Sequence, residues 1–245
     1  MSGNPITGAS YFLRGLTLIR QPGIKKYVII PLIINVILFS VLIWLSLAYF
    51  KDTVDSLVAD LPSWLSWITG AIWILLAACI ALGIYFSFTI VANLIGAPFN
   101  SYLAAAVEKH LTGQTPPEVN RSISKEIIFS ISNELRKLLY FLMWGIPLFI
   151  ITFIPVVNLV APLLWFYFGT WMLAVEYADY PMGNHGLGFK EILDKLAEKK
   201  VMSLGFGGAV MFGTMLPVFN FLVMPAAVAG ATVMRVEQFP VNQQK

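Results

Sequence analysis

YVIIPLIINVILFSVLIWLSLAYF, residues 27–50, contains no charged side chain anywhere along its length. A transmembrane helix requires about 20 consecutive apolar residues to cross the hydrocarbon core of a bilayer. A helix lying on a soluble core would instead show polar positions every three or four residues. Pro31 falls in the first turn of the segment, where a missing N–H is tolerated. Residues 27–50 therefore read as a membrane span.

The rest of the chain repeats the pattern. Residues 61–107, 138–175 and 201–234 are also uncharged. Of the 245 residues, 58% are hydrophobic and only 12% are charged, against about 25% in a soluble domain. The charges sit at the ends of the apolar runs. A net charge of +3 is too small to argue for nucleic acid. The single cysteine, Cys79, lies inside an apolar run and cannot form an intrachain disulfide, so nothing points to an oxidising compartment. The first 26 residues show neither a continuous apolar stretch nor a small-residue cleavage site, and no signal peptide is expected.

A second span is expected over residues 64–95, with Trp64 and Trp67 suited to the membrane interface. The loop between the spans carries Lys51, Asp52, Asp55 and Asp60. Ahead of the first span, Ile6, Phe12, Leu13, Leu16 and Ile19 fit one face of an interfacial helix, or else belong to a loose tail. Residues 108–137 are polar, and Ile123, Ile127, Ile131 and Leu135 recur every fourth position, as in an amphipathic surface helix.

The last two runs are an internal repeat. One has Ile154-Pro155-Val156-Val157-Asn158-Leu159 at its middle, and the other has Leu216-Pro217-Val218-Phe219-Asn220-Phe221. Pro162 and Pro225 follow. Proline and asparagine together break a helix, so each run is two arms around a turn. Two full crossings and a turn need about 44 residues. Residues 138–175 and 201–234 are shorter than that, and their turns lack the charges expected of a loop in water. Re-entrant hairpins fit better than tightly folded pairs of true spans. Re-entrant tips are tolerated where they are buried in protein or line an aqueous cavity. The expected fold is thus an all-α integral membrane protein, a single membrane domain over residues 1–245. It has two long transmembrane helices, two re-entrant (hemi-penetrating) helical hairpins and amphipathic surface helices. The basic residues concentrate outside the 51–60 loop, which places both termini in the cytoplasm.

No enzyme signature is present: neither HExxH, nor GxSxG, nor a phosphate-binding GxxxxGK[ST]. His110 and His185 lie far apart in sequence and Cys79 is alone, so no metal site and no cofactor are expected. No ionisable residue lies in the middle of an apolar run, where ion-coupled carriers place carboxylates, and a channel-like conduit fits better. Lys25 and Lys26 follow Pro22-Gly23 and open the first span. Two cations at a helix N-terminus form an anion site, or else a routine flank that anchors the span. The string from Tyr177 to Phe189 is dense in hydrogen-bonding groups, among them Asp179 and His185. It reads as a pore mouth or as a turn capping a helix over 190–200. Asn93, Asn100, Asn158 and Asn220 are the polar groups deepest in the apolar runs, placed to meet a polar substrate or to hydrogen-bond between helices. With Glu108 they make up a candidate polar path. Gly205, Ala209 and Gly213, and again Ala226 and Gly230, form small faces that allow close helix contact.

Six pieces, in order, resemble the CysZ family of bacterial inner-membrane sulfate permeases. They are Gln21 to Lys26, Ala97-Pro98-Phe99-Asn100, Leu111-Thr112-Gly113 with Thr115-Pro116-Pro117, Ala161-Pro162 with Leu164-Trp165-Phe166, Tyr177 to His185, and Met224-Pro225-Ala226 leading to Gly230-Ala231-Thr232. The resemblance implies sulfate import into the cytoplasm for cysteine synthesis, two long membrane helices with two hemi-penetrating hairpins, and a homo-oligomer in the lipid bilayer. It also implies a sulfate contact at Gly23, Ile24, Lys25 and Lys26. The family usually has arginines there; lysine keeps the charge without the bidentate geometry. The alternative is an accessory or scaffold membrane protein that assists another transporter.

Overall fold

A computed structural model describes residues 3–59, 67–117 and 123–240. The described residues contain helices and no strand. In chain order the helices are α1 (Pro5–Leu18), α2 (Lys26–Ala59), α3 (Thr69–Thr112), α4 (Ile123–Thr152), α5 (Ala161–Gly183), α6 (Phe189–Glu198), α7 (Lys200–Thr214) and α8 (Pro217–Gln238). Among the described residues, three segments are long and apolar enough to cross a membrane: Lys26–Tyr49, Ile128–Thr152 and Phe219–Gln238; α3 adds a shorter apolar stretch, Gly70–Phe86. The chain is a membrane protein with an all-helical fold.

The residues group into two compact units. One is Tyr27–Phe99, which holds most of α2 and the first part of α3. Its apolar side chains point away from the chain: Trp44, Leu47 and Ile74 are each about two-thirds exposed or more. Burial in the chain does not hold such a surface, and lipid is the solvent it matches. Phe39 and Phe88 are one contact between the two helices, their ring centroids 4.9 Å apart. Pro31 lies inside α2, one turn beyond its start at Lys26.

The other unit takes the chain up to Lys26 and from Asn100 onward. Its core is made by α1, α5, α7 and α8, and glycine decides the packing. A Cβ on Gly8 or Gly15 of α1 would land on the carbonyl oxygens of Met202 and Ala226. A Cβ on Gly205 or Gly230 would land on the carbonyls of Pro5 and Tyr11, and one on Gly207 on that of Thr170. Backbones at this distance leave no room for a side chain, as in close-packed membrane helices. Tyr11, Phe12 and Ile19 are buried between these contacts, whereas Ile6 and Leu13 are exposed. So α1 is an ordered, packed helix and not a loose tail. Its packed face is Gly8, Tyr11, Phe12 and Gly15, at i, i+3, i+4 and i+7 spacing. Arg14 closes the edge with a two-pronged pair to Glu237, at 3.0 and 2.7 Å.

Both repeat runs are helix pairs around a turn. In the first, α4 ends at Thr152, and a 3-10 turn over Val157–Leu159 leads into α5 with Pro162 in its first turn. Val156 holds φ at 70°, an outlier for a β-branched residue. In the second the break comes earlier than the Pro-Val-Phe-Asn motif. Pro217 is the first residue of α8 and Asn220 lies in its first turn, because proline's fixed φ suits N1. Pro225 lies inside α8 and does not end it. The amphipathic segment is not a separate surface helix. Helix α3 continues to Thr112, and α4 runs unbroken from Ile123 into the first hairpin arm. The Ile131 and Leu135 positions of its apolar stripe face outward.

Candidate functional site

Three chain segments meet at one buried ionic cluster. Helix α3 ends in a charged turn after the uncharged run, and this places Glu108 at its buried face. Helix α5 ends at Gly183, and the turn that follows reaches back to α3: Asn184 Nδ2 donates to the Ser101 carbonyl at 2.8 Å. That contact sets His185 beside Glu108, its Nε2 2.9 Å from Oε1 and 3.0 Å from Oε2. A carboxylate only accepts, so the imidazole donates. Arg235, in the last turn of α8, completes the group by pairing its Nη2 with Glu108 Oε1. The side chains of Arg235, Glu108 and His185 are only 6%, 8% and 5% exposed. Burial pushes the Glu108 carboxyl upward, but the His185 hydrogen bond and the Arg235 charge outweigh it and hold it below its ordinary value. The cluster borders a cavity of about 150 Å³, also lined by Thr112, Gln114 and Thr115.

A second cluster lies at the foot of the first hairpin. Lys137 of α4, 11% exposed, reaches Asp179 at 2.8 Å, Glu176 at 3.1 Å and Glu134 at 3.2 Å. It ties α4 to the last turns of α5. One turn earlier, Asn133 Oδ1 accepts the Phe189 N–H at 3.2 Å, and Glu191 accepts the Gly188 N–H at 2.6 Å. These two bonds cap α6. Within the 177–189 string, residues 177–183 are thus the last turns of α5, and residues 184–188 are a turn that caps α6 and delivers His185 to a buried site.

Gly23, Ile24 and Lys25 lie in the turn between α1 and α2, and Lys26 opens α2. Gly23 has φ +88°, in the left-handed region that glycine enters without strain. Ile24 is 2% exposed and anchors the turn by its side chain, while Lys25 and Lys26 are exposed. The amides of Ile24 and Lys25 both donate to the Gln21 carbonyl, at 3.2 and 3.1 Å. Those two N–H groups are therefore already bonded, and the exposed side chains of Lys25 and Lys26 stand beside them.

Of the candidate polar path, the structure joins Glu108 with His185. Asp179 is held by Lys137 in the other cluster. Asn158 and Asn220 are exposed at the two hairpin tips. Asn100 is buried, with Nδ2 lacking a hydrogen-bond partner. Asn93 belongs to α3, and its side chain lies outside the described part of the structure. The sequence singles out neither Arg235 nor Lys137. Each stands at the end of an apolar run, where a basic residue reads as an interfacial anchor.

The family model of the sulfate transporter CysZ and etoposide-induced protein 2.4 matches residues 11–225. The chain belongs to the CysZ family. Among curated relatives, "Sulfate transporter CysZ" of Pseudomonas fluorescens (strain Pf0-1) is 44% identical over 235 residues, covering 95% of this chain and 94% of the relative. The protein of the same name from Pseudomonas syringae pv. tomato is 42% identical, with 97% and 95% covered. The one from Pectobacterium atrosepticum is 40% identical, with 95% and 86% covered. The family match runs from the middle of α1 into the first turns of α8 and takes in every helix between them.

Proposed function

We propose that the chain is a channel-like sulfate permease of the bacterial inner membrane, passing sulfate into the cytoplasm for cysteine biosynthesis. The observation that carries this reading is the identity, over almost the full length, with proteins named sulfate transporter. The structure adds the means. Sulfate is a dianion, and moving it out of water requires several fixed donors to offset its dehydration. Lys25 and Lys26, standing on the rigid turn made by Gly23 and Ile24, collect the ion at the membrane surface. The Glu108–His185–Arg235 cluster offers the deeper polar step, and no carboxylate stands in the middle of an apolar run to couple flux to a cation.

The hairpins α4–α5 and α7–α8 are read as re-entrant. Helix α7 has 15 residues. It therefore rises only about 22 Å, less than the roughly 30 Å core. In α4 the whole segment Ile128–Thr152 is long enough to cross, but its uncharged part beyond Lys137 is as short as α7. Val156 and Leu159 at the first tip are 79% and 80% exposed. Such a tip inside a membrane needs protein or a water-filled cavity around it. A homo-oligomer supplies the protein.

Liposomes containing the purified protein should take up radiolabelled sulfate, and the Lys25→Ala/Lys26→Ala variant should do so about tenfold more slowly at low sulfate. Empty-vesicle rates with the wild type would leave only the accessory-protein reading. Unchanged uptake in the double variant would remove the lysines from the path.

A further inference from the structure

We propose that the cavity beside Arg235 is an internal binding site for a tetrahedral oxyanion, and that Glu108 is its built-in stand-in anion. Arg235 is buried and its Nη2 is committed to Glu108, yet its Nε has no hydrogen-bond partner. A buried guanidinium with an unused donor is costly unless something accepts from it. Its planar fork matches the edge of a sulfate or phosphate better than the single carboxylate oxygen that meets it here. Around the same cavity stand His185, Thr112, Gln114 and Thr115. Thr112 Oγ1 donates to the Glu108 carbonyl at 2.8 Å and accepts the Gln114 N–H at 3.2 Å, which fixes the wall that carries these groups.

The chemistry follows from charge. With the cavity empty, Glu108 neutralises Arg235 and takes the His185 proton donor, so neither group is buried without a partner. An oxyanion needs the same donors. Glu108 and the ion repel each other at this range, and the two cannot share the cluster. Entry therefore requires the carboxylate to leave Arg235 and turn toward the cavity mouth, and departure of the ion returns it. The site holds its ligand weakly by construction, which suits a conduit more than a store. The inference leans on the transport reading only for the choice of sulfate as probe.

Equilibrium dialysis of the full-length protein in detergent against radiolabelled sulfate, with chloride as background salt, tests it. Glu108→Gln keeps the shape and removes the charge, and is expected to bind sulfate at least about tenfold more tightly than the wild type. Adding Arg235→Gln to that variant should abolish the gain; because this double variant removes both charges together, it leaves no lone buried ion and is expected to fold. Adding Lys25→Ala and Lys26→Ala should leave the gain in place. Unchanged or weaker binding by a folded Glu108→Gln protein overturns the proposal, as does a gain that survives loss of Arg235 or that appears for chloride alone. Should Glu108→Gln not fold, Glu108→Asp draws the carboxylate back from Arg235; an intermediate gain supports the site and none overturns it. Sulfate flux without the Glu108→Gln gain sinks this inference alone. The gain without wild-type flux sinks the transport reading alone.

Discussion

Glu108 shows how much a single residue's role depends on its neighbours. Its carboxyl is held below the ordinary glutamate value of 4.5, because the donors around it outweigh its burial. A carboxyl whose folded value is depressed stabilises the fold above its unfolded value. That contribution is lost as pH falls through the folded value. Thermal unfolding in detergent should therefore show a steeper loss of stability below about pH 4.5 in the wild type than in Glu108→Gln. Parallel acid limbs for the two proteins would mean that Glu108 is not the group being titrated. The sequence marks Glu108 and His185 as polar residues of interest, but it gives no sign that Arg235 joins them. Glu108 and Arg235 lie at run boundaries, where a charged residue is ordinary, and His185 lies in the polar stretch between two runs. Only the approach of α3, the α5–α6 turn and α8 makes them one buried cluster. Lys137 and Asp179 come together in the same way, from positions 42 apart.

At the scale of helices, glycine carries the information that hydrophobicity misses. The apolar residues of α1 scatter around it, and Ile6 and Leu13 face outward. The packed face is set by Gly8 and Gly15, which carry no hydrophobic signal. Gly15→Ala should lower stability by about 2 kcal/mol or more, since the added methyl meets the Ala226 backbone, which cannot rotate away. Gly83→Ala, with open space around its Cβ, should be neutral or slightly stabilising in a helix. Thermal melts of the two variants settle it; an equal effect would refute the close contact. The hairpins make their own prediction. On a Cys79→Ser background, Asn158→Cys should resist a membrane-impermeant maleimide added to either face of intact vesicles, because a re-entrant tip stops inside the bilayer. Rapid labelling from either face would make α4 and α5 full crossings. The two-armed form of both runs is legible from Pro155, Asn158 and Pro217. The exact break of the second is not, because Pro217 begins a helix as readily as it ends one.

For the molecule as a whole, the chain lacks a charge in the middle of any apolar run, and this argues against cation coupling. Initial sulfate uptake should be the same within about twofold with and without an imposed proton gradient, once the membrane potential is clamped. A several-fold acceleration would identify a proton-coupled carrier. What the sequence determines by itself is the membrane and the class of fold, since uncharged runs of this length have no other stable solvent. It also determines the helix-pair repeat, because proline and asparagine act locally on the backbone. What only the tertiary structure decides is which charges are buried together and which glycines touch. Both are contacts between segments far apart in the chain, and no local pattern encodes them. The span at residues 27–50 is visible from its letters alone. The meeting of Glu108, His185 and Arg235 exists only once α3, α5 and α8 have packed.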